Sequence, residues 1–156
     1  MIHFSYKIKE VLSFNLPLDI ICTSHGIIWR DKPEKIVERY LEWANDYQEN
    51  QITIIYDTMW NGTRVMAENI VNGIKEADKE VNVKLFNLAK TDKNDVITEI
   101  FKSKAILMGS PTINRGILVS VAAIIEEIKG LKFKRKQPLL VVMGGVVSRL
   151  KSNLKI

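Results

Sequence analysis

Between residues 51 and 143, short apolar segments alternate with longer segments of helical period, and this rhythm limits the possible folds more than any other feature of the chain. Gln51–Tyr56, Val81–Asn87, Lys104–Met108 and Pro138–Met143 read as strands. Thr63–Lys79, Asn94–Lys102 and Leu118–Ile128 read as helices between them. Helices inserted between consecutive strands imply right-handed crossovers and an α/β fold with a largely parallel sheet. Gly130 is placed to terminate the helix before the last strand. With 156 residues, 46% of them apolar, the chain is large enough to bury a core around such a sheet.

Residues 1–50 have a different character. A short helix is expected at Tyr6–Ser13 and a brief strand at Asp19–Cys22, followed by a turn at Ser24, His25 and Gly26. Pro33–Tyr47 then reads as an amphipathic helix, with Ile36, Val37, Tyr40, Leu41, Ala44 and Tyr47 on its apolar face. Pro33 suits a first helical turn, where its missing amide hydrogen costs little.

Composition excludes several classes. Cys22 is the only cysteine, so one chain forms neither a disulfide nor an all-cysteine metal or iron–sulfur site, and a reducing, cytoplasmic setting is expected. No run approaches the roughly 20 apolar residues that cross a bilayer, and the amino terminus lacks a secretory signal pattern, so no membrane association is expected. The net charge of +5 favours acidic partners only mildly. The basic run Lys132, Lys134, Arg135 and Lys136 reads as a solvated strand entry, and nucleic acid is not an expected partner.

The strongest chemical feature is ITIIYDTMWNGTRVMAENI at residues 52–70. A buried strand ends at Tyr56, a polar turn follows, and a helix begins near Thr63, a geometry that turns backbone amides and the helix terminus toward a phosphate. Thr58 and Thr63 offer hydroxyls, Asn61 offers an amide, and Gly62 permits a tight turn. The loop has neither the Gly-Lys-Ser/Thr ending of a nucleoside-triphosphate loop nor a G-x-G-x-x-G fingerprint. The pattern alone leaves phosphate binding and an ordinary capped turn both open. Asp57 reads as a turn residue whose carboxylate must point away from any bound phosphate.

A second loop, GSPTINRG at residues 109–116, follows another buried strand. Ser110 and Thr112 could bond the polar edge of a planar ring, amides around Ile113 and Asn114 could donate to it, Pro111 restricts the turn, and Trp60 could cover a ring face. In open parallel sheets, ligands gather beyond the carboxyl ends of strands where the strand order reverses.

YDTMWNGT at 56–63 with the RVMAENIVNGI that follows, MGSPTINRGIL at 108–118, GLKFKRK at 130–136 and TSHGIIWR at 23–30 together resemble the flavodiiron proteins, or A-type flavoproteins. The resemblance covers about residues 8–145. It implies a flavodoxin-like, doubly wound parallel sheet over residues 51–156, preceded over residues 1–50 by the tail of a metallo-β-lactamase-like domain and its connecting helix. In that family FMN relays electrons from a rubredoxin or reductase component to a diiron centre that reduces oxygen or nitric oxide. The resemblance assigns Thr58, Met59, Trp60, Asn61 and Thr63 to the phosphate loop and Pro111, Thr112, Ile113 and Asn114 to the first flavin-ring loop; Gly62 and Ser110, read above from the loops themselves, complete the expected cofactor-binding set. Gly144 opens the third loop.

Departures from the family pattern shape the remaining expectations. His25 corresponds to the family's last diiron ligand, but with His3 as the only other histidine no complete diiron site is expected, and full reductase activity is not expected of this chain alone. The third flavin loop reads Gly144, Gly145, Val146, Val147, Ser148, without the family's two aromatics, which weakens the expected hold on FMN. The family's last strand and helix have no counterpart, so the resemblance implies a chain truncated at both ends, with an apolar sheet edge to be covered. An FMN-binding electron-transfer module without its own diiron centre is the preferred reading. A noncatalytic assembly subunit and a nonfunctional remnant are the alternatives. Expected partners are a rubredoxin-like or reductase donor, a second copy of the chain, or a separate metallo-β-lactamase-like subunit.

Overall fold

The computed structural model describes the backbone of residues 2–45, 47–131 and 137–143, and the side chains of residues 6–45 and 47–131. The chain divides into two compact units, Met1–Tyr47 and Gln48–Ile156.

In the first unit, helix α1 (Ile2–Ser13) packs against helix α2 (Glu34–Ala44). Pro33 precedes α2 with helical dihedrals, φ −60° and ψ −23°, as its fixed ring geometry favours. Ile36 is buried, and Tyr40 and Trp43 meet edge to face at 5.3 Å between ring centroids. The strand expected at Asp19–Cys22 shrinks to one antiparallel bridge between Ile21 and Trp29. Ile20, Ile27 and Ile28 beside it are exposed, so the pairing has no buried face to extend it.

The second unit is built on strands β1 (Glu49–Tyr56), β2 (Asn82–Asn87), β3 (Ser103–Pro111) and β4 (Gln137–Met143). All neighbours are parallel, in the order β2-β1-β3-β4. Helices α3 (Gly62–Ala77), α4 (Lys93–Lys102) and α5 (Val119–Leu131) form the crossovers. Within β1, alternate side chains serve opposite faces, with Ile52, Ile54 and Tyr56 on one and Gln51, Thr53 and Ile55 on the other. Ile54 and Tyr56 pack with Ala67, Ile70 and Ile74 of α3. Ile55 joins Val96 and Ile100 of α4 and Val121, Ile124 and Ile128 of α5 on the other side. The doubly wound reading of the sequence therefore holds. The helix expected to stop at Gly130 continues to Leu131, because Leu131 still packs against this core and the glycine meets no steric demand there.

The end of the sheet where β1 begins holds a buried polar network. Gln51 is 1% exposed, and its Nε2 donates to Ser103 Oγ at 3.0 Å and to the Glu99 carboxylate at 3.0 Å, while its Oε1 accepts from Asn82 Nδ2 at 2.9 Å. Thr53 and Ser103, both fully buried, share a hydroxyl–hydroxyl bond of 2.7 Å. Residues of β1, β2, β3 and α4 are thus cross-linked by one amide side chain. The Lys102 ammonium, bonded to Glu99, holds that carboxyl below the ordinary glutamate range; partial burial opposes the shift and Gln51 assists it.

Candidate functional site

At the opposite end of the sheet, the two loops singled out in the sequence emerge side by side. Tyr56 and Gly109 are register partners on β1 and β3, and Asp57 N–H extends that pairing by donating to Gly109 O at 3.1 Å. From β1 the chain crosses to β2 on one flank, while β3 lies on the other, so the loops flank the point where strand order reverses.

Asp57 is oriented by bonds at both carboxylate oxygens. Oδ1 accepts the Thr58 amide at 2.7 Å, and Oδ2 accepts the hydroxyl of Ser120 at the start of α5. The carboxylate is thereby occupied within the protein, as a site for an anion requires. Thr58 Oγ1 is buried and has no hydrogen-bond partner. Met59, Trp60, Asn61 and Gly62 are exposed along the loop, Trp60 to 89%. Asn61 takes a left-handed conformation, φ 62°, and stands before α3 without a side-chain cap. The first turn of α3 carries no acidic residue, so its amides and its positive dipole end are not answered by a side-chain carboxylate there. Thr63 lies in that first turn rather than capping it and is buried, its methyl group facing Gly109.

The second loop is tightly self-bonded. Ser110 is fully buried; its hydroxyl donates to Pro111 O and accepts the Leu118 amide, both at 2.9 Å. Its polar capacity is spent fixing the loop to the approach of α5. Ile113 and Gly116 exchange N–H···O bonds of 3.1 and 2.7 Å around Asn114 and Arg115, both left-handed at φ 49° and 61°. This follows the tight two-residue turn in which both central residues have positive φ. The Ile113 amide is therefore engaged within the loop, while Thr112 and Asn114 are exposed. Gly144 and the basic run at 132–136 lie outside the described residues.

His25 is far less enclosed. It is exposed on a turn where Thr23 Oγ1 donates to His25 O at 2.7 Å and Ser24 Oγ lies 3.1 Å from its Nδ1. Among the described residues, no three or more His, Cys, Asp or Glu side chains are grouped to hold a metal ion. No helix among them is long and apolar enough to cross a membrane.

The family model described as Flavodoxin matches residues 54–149, more than half of the chain. The chain belongs to the flavodoxin family. Within that family it is related to flavodiiron proteins. It is 50% identical over 153 residues, 96% of its length, to the anaerobic nitric oxide reductase flavorubredoxins of Klebsiella pneumoniae and Escherichia coli. It spans about a third of those relatives, 32%. Among solved structures, rubredoxin oxygen:oxidoreductase from Desulfovibrio gigas superposes with a TM-score of 0.78 at 31% identity, covering 88% of this chain and 35% of that one. The flavodiiron protein of Giardia intestinalis shares the fold, with a TM-score of 0.74 at 24% identity over 89% of this chain and 35% of that one.

This flavodoxin-like module is FMN-binding and related to the flavodiiron oxidoreductases. The donor set at Thr58–Thr63 fits a phosphate group, because it combines a hidden hydroxyl lacking a partner with an uncapped helix terminus and a carboxylate that is bonded elsewhere. Sequence reasoning found both loops but missed Ser120. The only signal was a single hydroxyl in the otherwise apolar run from Ile117 to Ile125.

Proposed function

We propose that the module relays electrons through FMN whose phosphate is held at Thr58, Met59, Trp60, Asn61, Gly62 and Thr63 and whose ring lies toward Pro111, Thr112, Ile113 and Asn114. The reading rests above all on the unpartnered, buried Thr58 hydroxyl. A hydroxyl removed from water without a bond is costly, and a phosphate oxygen would complete it with a charge-assisted bond. When bound, FMN supplies the one- and two-electron chemistry. The chain's own part is to hydrogen-bond the phosphate with amides and hydroxyls, to present Pro111–Asn114 on a rigid turn, and to offer the exposed Trp60 indole as an apolar cover. No side chain is assigned as acid, base or nucleophile.

Thr58→Val separates binding from folding. Valine keeps the shape and deletes the unsatisfied hydroxyl, so the apo protein should be as stable as the wild type or slightly more so. FMN affinity, read by flavin fluorescence quenching, should fall by roughly tenfold to a hundredfold, the equivalent of one charged hydrogen bond. An unchanged dissociation constant would remove Thr58 from the site. Wild-type protein that stays colourless and apo throughout the titration would end the cofactor reading.

The assembly reading has support of its own in the first unit. Tyr6, Phe14, Leu16 and Ile27 are each more than 60% exposed, with Val11, Ile20 and Ile28 exposed near them in sequence. So many exposed apolar side chains within one short segment fit a segment that packs against another domain. We infer that residues 1–50 belong with a metallo-β-lactamase-like diiron domain, on the same or a separate polypeptide, which accepts the electrons, and that a rubredoxin-like protein or reductase supplies them. Replacing Phe14 and Leu16 by serine should abolish co-purification with such a domain while FMN binding persists; co-purification that survives would refute this placement.

A further inference from the structure

We propose that Ser120 is a positioning residue for the phosphate loop, acting by holding the Asp57 carboxylate out of the anion site. The proposal rests on the FMN reading above and concerns how the same site tolerates an acid at its threshold. Asp57 is adjacent in sequence to Thr58, so an unrestrained carboxylate there would face a bound phosphate with like charge. Two bonds prevent this: Oδ1 is turned back onto the Thr58 amide, and Oδ2 is held by the Ser120 hydroxyl. The first bond is local and would follow the loop wherever it moved. The second is supplied by another element, 63 residues further along the chain, and fixes the carboxylate in the protein frame.

The anchor is itself well placed. Ser120 is half-buried at the second position of α5, next to the fully buried Val121. Just before it, the Leu118 amide is bonded to Ser110 Oγ on the second loop. The beginning of α5 therefore braces both loops, one through Ser110 and the other through Ser120. Asp57 also takes the Thr58 amide out of the set of free donors, which leaves the phosphate to the Thr58 hydroxyl and the α3 terminus. An aspartate at this position has a use: it orders the loop before the ligand arrives, provided that its charge stays anchored.

The test is a double-mutant cycle read with two ligands, FMN and riboflavin, which differ by the phosphate. Ser120→Ala frees Oδ2 and should weaken FMN binding on the order of tenfold, through like-charge repulsion, while changing riboflavin binding less than about twofold. Adding Asp57→Asn removes the charge, so Ser120→Ala in the Asp57→Asn background should cost FMN affinity less than about twofold. Ser120→Thr retains the hydroxyl and should behave as wild type. Ser120→Ala that binds FMN like wild type would overturn the proposal. So would equal loss of FMN and riboflavin with no relief from Asp57→Asn, which would mark Ser120 as a packing residue. Wild-type protein that takes up neither ligand would instead sink the cofactor reading itself, and this proposal with it.

Discussion

Gln51→Leu should be among the most damaging single substitutions in the chain, lowering stability by about 3 kcal/mol without touching the cofactor loops. Leucine fits the space but bonds to nothing, so the fully buried Ser103 loses a donor, and Asn82 and the half-buried Glu99 lose their bonds to the centre of the network. For a domain of this size the loss corresponds to a fall in melting temperature of about 10 °C. The effect should also depend on pH. The Glu99 carboxyl titrates below the ordinary glutamate range in the folded protein, first because of Lys102 and then with help from Gln51. A lowered folded value means that Glu99 contributes stability above its unfolded pKa and loses it as pH falls through the folded one. The gap between wild type and Gln51→Leu should therefore be widest near neutrality and narrow in acid. Thermal melts from pH 7 down to about pH 3 would check this, and a gap that widened in acid would contradict the assigned role of Glu99.

Gly109→Ala should cost about 2 kcal/mol by overpacking and should also weaken FMN binding. A Cβ at this position would sit 2.9 Å from Thr63 Cγ2 and 3.3 Å from Tyr56 Cβ. The first contact is the severe one, and Thr63 lies in the turn that begins α3, so relief by displacement moves the phosphate loop. Thr63→Ser removes the clashing methyl and keeps the hydroxyl. In the wild type it should be mildly destabilising, because a buried methyl is lost; in the Gly109→Ala background it should restore stability and affinity together. This reversal of sign is the test. If Thr63→Ser were equally harmful in both backgrounds, the close approach of β3 to α3 would not be the reason for glycine at position 109.

Much of the fold was legible because each element carries its own period. The four strands and three crossover helices lie within a few residues of their expected ends, and both loops follow from where apolar strands give way to helices. Asp19–Cys22 misled because a short apolar run is also what an exposed turn can contain, and only a buried second face would have made it a strand. Within the site, the residues whose roles were hidden are those whose partners come from elsewhere in the chain. Ser110 looked like a ring-edge donor, yet its hydroxyl is bonded to Pro111 O and the Leu118 amide. Asp57 was expected to point away from the phosphate, but what holds it there, Ser120, depends on where α5 starts relative to β1. Gln51 likewise became a hub only through the register that sets it beside Asn82 and within reach of Ser103. Periodicity reports what a segment is; register and crossover geometry decide what its polar atoms meet.

The polar network anchored by Gln51 lies at the foot of β1, and the loops open at its head near Tyr56, about 17 Å away along the strand. Perturbations that far apart combine almost independently. Robustness and ligand recognition can thus be tuned by separate sets of substitutions: the foundations of this sheet can be reinforced or eroded over many generations while its mouth keeps the same shape.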